Sequence, residues 1–322
     1  MPVRIIFMGT PDFAVPILKY LLCSSELVSE SHVVAAYTQP DKQAGRGRQV
    51  IMPPVKRLAM ENSILVIQPE TLKSTKILEE MAGLRPELVV VAAYGHILPQ
   101  AILSLPKFGC LNVHHSLLPR HRGPSPVANA ILCGDESTGV TIMLMDAGMD
   151  SGPILAQRKV NISPEDTTGV LTSRLAKVGG ELLLETLPKW TSGKLEPRPQ
   201  DEREATYSKP ISKNDAEIDW HLPAMKLWLR LRAYNPWPGC HTLWKGKRLR
   251  VLAAVALSDV VKGRVGEVVA LPKGILAQVG VVTGEGILGL CQVQLEGKRQ
   301  MSVKEFVLGQ RDFIGSILSS LV

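Results

Sequence analysis

A regular alternation of short apolar runs and helical segments over the first half of the chain constrains its fold most strongly. The predicted strands are Val3–Met8, Val33–Thr38, Leu65–Gln68, Leu88–Ala93, Cys110–His114, Val140–Met145 and Ile154–Val160. The predicted helices are Phe13–Cys23, Pro53–Glu61, Ser74–Gly83, Val127–Cys133 and one that carries Val170 to Leu183 at helical spacing. This pattern favours a doubly wound, mostly parallel open α/β sheet.

The composition changes near residue 194, where proline, glycine and charged residues dominate. We therefore predict a first domain over residues 1–193, a linker over 194–207 and a second domain over 208–322. Short alternating runs separated by glycine turns predict that the second domain is a small antiparallel, OB-like β-barrel. These runs are Leu249–Ala256, Gly266–Leu271, Ala277–Val281 and Ile287–Leu295. The pair Ser302 and Glu305 predicts a capping box that begins a final helix.

The formal net charge of +7 lies entirely in the second domain. Residues 1–207 hold 21 basic and 21 acidic side chains, whereas residues 208–322 hold 16 basic and 9 acidic ones. A neutral first domain and a basic second domain indicate small-molecule chemistry in one and attraction of a polyanion to the other. An ordinary solvated surface is the alternative.

Several classes of protein are disfavoured by the sequence. The longest apolar run, Leu88–Ala93, is too short to cross a bilayer, and no leader pattern is visible, so we expect a soluble, cytoplasmic protein. The five scattered cysteines show no metal-binding spacing, and we expect them to be reduced. Neither a GxGxxG fingerprint nor a P-loop is present, which argues against a dinucleotide cofactor.

Three polar residues near the ends of two predicted strands are the candidates for catalysis. Asn112 and His114 alternate with apolar neighbours and share one face of their strand, and Asp150 follows the next strand. We expect these two strands to be parallel and to end at the same edge of the sheet. An amide and an imidazole can donate to an oxyanion, and a carboxylate can orient the ring or accept a proton through water. This combination suits acyl transfer to an amine of the substrate.

Other interpretations of these residues remain open. The same groups could form a hydrogen-bonded structural network. Ser116 could be a nucleophile, but it lacks the GxSxG elbow. His114, His115, His121 and Asp150 could bind zinc, although adjacent histidines on a strand point to opposite faces.

Two groups of cations are candidates for contacts with phosphate. One group lies in the glycine-containing stretch from Gln39 to Arg48, and the other in the hairpin-like stretch from Lys245 to Arg250. Both compositions also fit solvated loops.

Four motifs resemble the folate-dependent formyltransferases: Asn112-Val-His114, Ser116 to Gly123, Gly139 to Met143 and Asp146 to Gly152. Three further stretches resemble the branch of that family that formylates methionyl-tRNA: Phe7 to Pro11, Gln39-Pro-Asp41 with Gly45-Arg46-Gly47, and Asn235 to Gly239. The resemblance covers essentially the whole chain. The chain departs from the pattern at His115, where a small residue is usual, and at His121, where tryptophan is usual.

The resemblance implies a catalytic first domain and a tRNA-binding second domain. The implied reaction transfers the formyl group of 10-formyltetrahydrofolate to the α-amino group of methionyl-initiator-tRNA, in support of translation initiation. The implied catalytic residues are Asn112, His114 and Asp150, and the implied folate-binding residues are Ser116, Leu117, Leu118 and Pro119. The resemblance places Arg46 near the acceptor end of the tRNA. With the other cations of the two basic stretches, the predicted tRNA-binding residues are Lys42, Arg46, Arg48, Lys245, Lys247 and Arg248. We expect no metal, no membrane partner, no obligate protein partner and a monomer.

Two alternative functions are weighed against this one. A glycinamide ribonucleotide or sugar-nucleotide formyltransferase, or a formyl-folate hydrolase, would use the same catalytic residues but has no need of a basic second domain. A protein that only binds RNA, with an inactive α/β half, has no need of the catalytic residues.

Overall fold

The computed structural model describes residues 2–23, 31–44, 49–258, 263–272 and 276–319. The chain divides into two compact units, each built from three stretches of sequence. The first unit consists of Met1–Pro126, Ser137–Asn161 and Thr172–Ser208, and the second of Val127–Glu136, Ile162–Leu171 and Lys209–Val322.

The first unit is built around a twisted sheet. Its strands are β1 (Val3–Gly9), β2 (Ser31–Tyr37), β3 (Lys42–Ala44), β4 (Gln49–Ile51), β5 (Leu65–Ile67), β6 (Leu88–Ala92), β7 (Cys110–His114), β8 (Ser137–Leu144) and β9 (Ile154–Asn161). The helices up to residue 191 are α1 (Val15–Cys23), α2 (Pro54–Glu61), α3 (Thr75–Gly83), α4 (Gln100–Leu103), α5 (Pro126–Leu132) and α6 (Thr168–Thr191). Among the described residues, seven strands form the main sheet in the order β5-β2-β1-β6-β7-β8-β9.

The predicted mostly parallel sheet is confirmed, with one correction. Strands β5, β2, β1, β6 and β7 are parallel, but β8 runs antiparallel to β7, and β9 antiparallel to β8. The expectation that the strand before Asp150 is parallel to β7 is therefore wrong. A buried strand shows the same apolar pattern in either direction, so this reversal cannot be recognised in the sequence. Because Leu144 pairs with Leu111, the chain leaves β8 near the start of β7 and must fold back to reach its end.

The core of the first unit lies on both faces of the central strands. All five residues of β6 are buried, as expected for an inner strand covered on each side. One cluster of buried side chains includes Ile6, Met8, Val89 and Val91 and extends to Met81 of α3.

The second unit contains the predicted antiparallel sheet. Its strands are β10 (His241–Trp244), β11 (Lys247–Leu257), β12 (Val268–Ala270), β13 (Val279–Val282), β14 (Ile287–Leu295) and β15 (Met301–Ser302), with helices α7 (Ala224–Ala233) and α8 (Val303–Gly309). The order is β10-β11-β14-β13-β12, and β15 pairs with β14. The last described residues bond to both edges: Ser319 pairs with Leu243 in β10, and Ile317 pairs with Glu267 beside β12. This segment therefore bonds to both edges of the sheet, which forms a half-barrel.

The capping box at the start of α8 is confirmed. The Ser302 hydroxyl accepts from the backbone N–H of Glu305 at 3.2 Å, and the Glu305 carboxylate accepts from the backbone N–H of Ser302 at 3.4 Å. Each group satisfies a helix-terminal donor that would otherwise lack a partner.

The structure adds detail to two stretches interpreted as irregular. The basic stretch from Gln39 to Arg48 contributes β3 to a hairpin with β4, although Arg46 and Arg48 lie outside the described residues. Residues 194–207, predicted to be a linker, belong to the first unit and bond to it at several points. In the described part of the chain, no helix is long and apolar enough to span a membrane.

Candidate functional site

Strand β7 holds Asn112 and His114 on one face. Leu111 and Val113 alternate with them and are buried on the opposite face, which fixes the direction of the two polar side chains. The His114 side chain is 6 % exposed, and Asn112 is more accessible. Two polar groups on a buried strand are thereby held rigidly at the boundary with solvent.

Asp150 completes the cluster. Its Oδ1 accepts from the side-chain amide of Asn112 at 3.2 Å, and its Oδ2 accepts from the backbone N–H of Gly123 at 2.8 Å. Oδ2 also lies 3.6 Å from Nδ1 of His114. The Asp150 side chain is 17 % exposed, so the group faces solvent in part. The structure therefore brings the three predicted side chains together.

The second ring nitrogen of His114 has a backbone partner. Nε2 lies 3.1 Å from the carbonyl oxygen of His121, which can only accept. Nε2 therefore carries a hydrogen in this arrangement. In a neutral ring, Nδ1 is then the free acceptor, and it faces the Asp150 carboxylate.

The loop after β8 is ordered by its own polar residues. Asp146 accepts from the backbone N–H of Gly148 at 3.0 Å and from the hydroxyl of Ser151 at 2.9 Å. At the end of the loop, a Cβ on Gly152 would collide with the Leu144 carbonyl oxygen, so only glycine fits there. Asp150 itself has a φ of 51°, in the left-handed region. These constraints turn the chain back over β7.

The Gln200 side chain bonds to the backbone of this loop. Its side-chain amide donates to the carbonyl oxygens of Asp150 at 2.8 Å and Gly152 at 2.7 Å. Its own Oε1 accepts from two nitrogens of Arg122, Nε at 3.1 Å and Nη2 at 2.9 Å. One side chain thus connects the catalytic candidate to a buried arginine.

Arg122 is 1 % exposed, and all five of its N–H donors are used. Two bonds go to Gln200, two to the carboxylate of Glu202 at 2.7 and 2.9 Å, and one to the hydroxyl of Tyr207 at 3.1 Å. In the sequence, Arg122 stands only as one residue of the motif from Ser116 to Gly123, and Gln200 was not predicted because it lies in a stretch of linker composition. No pattern in the sequence marks Gln200.

The other two histidines considered as zinc ligands, His115 and His121, differ in their relation to this group. His115 points to the opposite face of the chain and packs on Phe13, with ring centroids 5.6 Å apart. Burial first, and then the neighbouring His114, lower the pKa of His115 to about 3, so its ring is neutral. His121 contributes its backbone carbonyl to His114. Among the described residues, no group of three histidine, cysteine or acidic side chains is placed to hold a metal ion.

The four predicted folate-binding residues are largely occupied within the protein. The Ser116 hydroxyl donates to the Arg120 carbonyl at 2.6 Å. Leu118 is buried, and its backbone bonds to the Thr141 hydroxyl at 3.1 Å and the Gln157 amide at 2.8 Å. Leu117 and Pro119 are partly exposed. This segment could contact a ligand only through those two residues.

The described cations of the predicted tRNA-binding set are exposed. They are Lys42, Lys245, Lys247 and Arg248. Lys245 and Gly246 form a two-residue turn with φ values of 50° and 71°, which joins β10 to β11. Lys245 is already paired with Asp312.

Comparisons with known proteins place the chain in a family. A model of formyl transferases matches residues 3–187, and a model of the formyl transferase C-terminal domain matches residues 210–311. The methionyl-tRNA formyltransferase of Chloroflexus aurantiacus is 46 % identical over 312 residues, which are 95 % of this chain and 96 % of that protein. The enzyme of the same name from Pseudomonas fluorescens is 44 % identical over 98 % of this chain and 97 % of its own. This chain belongs to the methionyl-tRNA formyltransferase family.

Two solved structures share the fold. A sugar N-formyltransferase from a Shewanella species matches with a TM-score of 0.61 at 19 % identity, over 81 % of this chain and 99 % of that one. HypX from Aquifex aeolicus, solved with tetrahydrofolic acid, matches with a TM-score of 0.61 at 18 % identity. The match covers 98 % of this chain, which spans about half of HypX, namely 48 %. These likenesses confirm the fold that the methionyl-tRNA formyltransferase family shares with more distant enzymes.

Proposed function

We propose that this protein transfers a formyl group from 10-formyltetrahydrofolate to the α-amino group of methionyl-initiator-tRNA and thereby supports translation initiation. The convergence of Asn112, His114 and Asp150 around one partly exposed position carries the proposal. Kinship with methionyl-tRNA formyltransferases over nearly the full length supports the acceptor.

Asn112 and His114 stabilise the negative charge that develops during the reaction. The amine attacks the formyl carbon, and the carbonyl π electrons move onto oxygen. One N–H of the Asn112 amide is bonded to Asp150, and its second N–H remains to donate to this oxyanion. His114 adds a donor once its free nitrogen is protonated. The C=O bond then re-forms as the C–N bond to the folate breaks, and N10 leaves with the proton that the amine has lost.

Asp150 assists the removal of the amine proton. An α-amino group has a pKa of about 8, so it needs only modest help to become neutral near pH 7. Nδ1 of His114 is the acceptor that the ring leaves free, and Asp150 at 3.6 Å stabilises the charge that the ring gains. Asp150 can also take the proton through a water molecule.

10-Formyltetrahydrofolate supplies an activated formyl group on N10. The cluster fits this donor because the Asn112 amide and the His114 imidazole both lie beside the Asp150 carboxylate, where they can act on one carbonyl group. Leu117 and Pro119 are the members of the predicted folate segment that remain available for contact. Ser116 and Leu118 instead hold the conformation of that segment through hydrogen bonds within the protein.

Exposed cations of the second unit hold the tRNA through its phosphates. Lys247 and Arg248 lie on β11, and Lys245 lies at the adjacent turn. Contacts of this kind are independent of sequence and weaken steeply as salt is raised. Lys42, Arg46 and Arg48 are proposed to lie near the acceptor end.

A competition among acceptors tests the reaction. Purified protein with 10-formyltetrahydrofolate is offered methionyl-tRNA, glycinamide ribonucleotide, an amino-sugar nucleotide and water. We expect formyl-methionyl-tRNA as the main product. Formylation of a small acceptor would point to the other formyltransferases, and release of formate to a hydrolase, so either outcome contradicts the proposal.

Asn112→Ala tests the oxyanion donor. We expect turnover to fall on the order of a hundredfold or more, about 3 kcal/mol, because one preorganised donor is lost. Thermal unfolding of the variant serves as the control for folding. Turnover near that of the wild type would contradict the assignment of Asn112.

A further inference from the structure

A cleft of 540 Å³ lies within the second unit and is lined by cations around an exposed indole. Its volume falls in the range of about 300–1,000 Å³ that holds small ligands. Its wall includes the stretch from Pro236 to Gly239, and Trp237 in this stretch is 53 % exposed. A large exposed aromatic ring beside cations is a common feature of sites that bind unpaired nucleotides.

The hairpin of β10 and β11 supplies the charge. Along β11, Leu249 and Val251 are buried, so the alternating Arg248 and Arg250 point to the other face. Arg250 pairs across the hairpin with His241, which also lines the cleft. The strand alternation therefore places both guanidinium groups in one wall.

These guanidinium groups are available for a ligand. Within the described residues, neither Arg248 nor Arg250 has a side-chain hydrogen bond or an ion pair. A Cβ on Gly239 would collide with the Arg250 guanidinium, which shows that this group lies against the backbone at Gly239. Lys213 adds a third cation to the lining of the cleft, and Glu217 is the one acidic residue among the described residues there. The cleft is net positive and suits an anion.

Glu217 adds a buried acceptor. Its Oε1 is shielded from solvent and has no hydrogen-bond partner in the described part of the protein. A buried acceptor of this kind is stabilised when a ligand supplies an N–H group. The bases of nucleic acids carry N–H groups at their edges, and their faces can stack on an indole.

We propose that this cleft binds one unpaired nucleotide of the tRNA, with its base stacked on Trp237 and its phosphate held by Arg248 and Arg250. The inference rests on the proposed function for the identity of the RNA. It adds a single-nucleotide pocket to the general attraction between a basic domain and a polyanion.

Binding of an oligoadenylate of ten nucleotides tests the cleft without the chemical step. Affinity is measured by anisotropy of a labelled oligonucleotide, for the full-length protein and its Trp237→Ala and Trp237→Phe variants. We expect a loss of about tenfold with alanine and a much smaller loss with phenylalanine, because the smaller ring still stacks. Arg250→Gln should reduce the slope of log affinity against log salt by about 0.7. Lys304→Gln, at an exposed position of α8, is the matched control for loss of a charge.

Formylation kinetics separate the two proposals. Trp237→Ala should raise KM for methionyl-tRNA and leave kcat unchanged. If the wild type formylates methionyl-tRNA but Trp237→Ala binds oligonucleotide and tRNA as the wild type does, the cleft proposal is overturned and the proposed function stands. If the wild type does not formylate methionyl-tRNA, yet oligonucleotide binding depends on Trp237, the cleft stands and the proposed function falls.

Discussion

The bridge from Gln200 to the loop that carries Asp150 predicts that Gln200→Glu slows catalysis without direct contact with substrate. The carboxylate keeps the acceptor that faces Arg122 but cannot donate to the Asp150 and Gly152 carbonyls, so two bonds of 2.8 and 2.7 Å are lost. At about 1 kcal/mol each, the loop loses about 2 kcal/mol of support. If the whole of this free energy is needed to hold Asp150 in its position for the reaction, kcat falls by up to about 30-fold. Steady-state kinetics at saturating substrates and urea unfolding measure the two effects.

Gln157→Glu is the matched control for this variant. The Gln157 amide also makes two bonds, to the Leu118 carbonyl at 2.8 Å and the Thr141 hydroxyl at 3.0 Å, but it does not contact the loop of Asp150. We expect a similar loss of unfolding free energy, with any kinetic change confined to KM for the folate. The reasoning is refuted if Gln200→Glu keeps the kcat of the wild type while its stability falls, or if both variants lower kcat equally.

Three further predictions concern single groups. His115 has a pKa lowered from 6.5 to about 3, so the unfolded chain binds a proton that the folded protein does not, and stability falls as pH drops below 6.5. Between pH 6.5 and 5 this group should cost about 2 kcal/mol, a slope that His115→Ala should remove in urea unfolding at each pH. Asp150→Asn should lower kcat by about 10²–10⁴-fold in rapid-quench assays, with little change in KM, because a base is lost. Ser302→Ala should lower the unfolding free energy by about 1 kcal/mol, since the bond to Glu305 is removed; an unchanged urea midpoint would contradict the role of the cap.

The sequence predicted the seven strands of the main sheet because buried strands need continuous apolar residues. The run Leu88–Ala92 is buried throughout, and its five consecutive apolar residues identify it as an inner strand. Strand β10 was missed because His241 and Thr242 are polar. It forms a strand because it pairs with β11 and, far along the chain, with Ser319. The direction of β8 was missed for a similar reason, since apolar content does not encode which way a strand runs.

The candidate catalytic residues Asn112 and His114 could be recognised in the sequence for a different reason. A polar side chain on a buried strand is costly unless it has a partner, so Asn112 and His114 stand out from their apolar neighbours. Gln200 does not stand out, because an amide among prolines and charged residues is ordinary in a surface segment. Its importance comes from two carbonyls about fifty residues earlier in the chain, and only the folded structure brings them together.

These contacts give the site a specific physical character. The Asp150 carboxylate accepts from Gly123 and Asn112 before any substrate arrives, and Gln200 fixes the backbone that carries it. Groups that are already oriented need not reorganise when charge develops, which is the main advantage of a protein over water as a solvent for a transition state. Because Gln200 is in turn fixed by the buried Arg122, the order of the loop that carries Asp150 depends on the segment that precedes the second matched domain. Substitutions in that segment should therefore lower kcat as well as the free energy of unfolding.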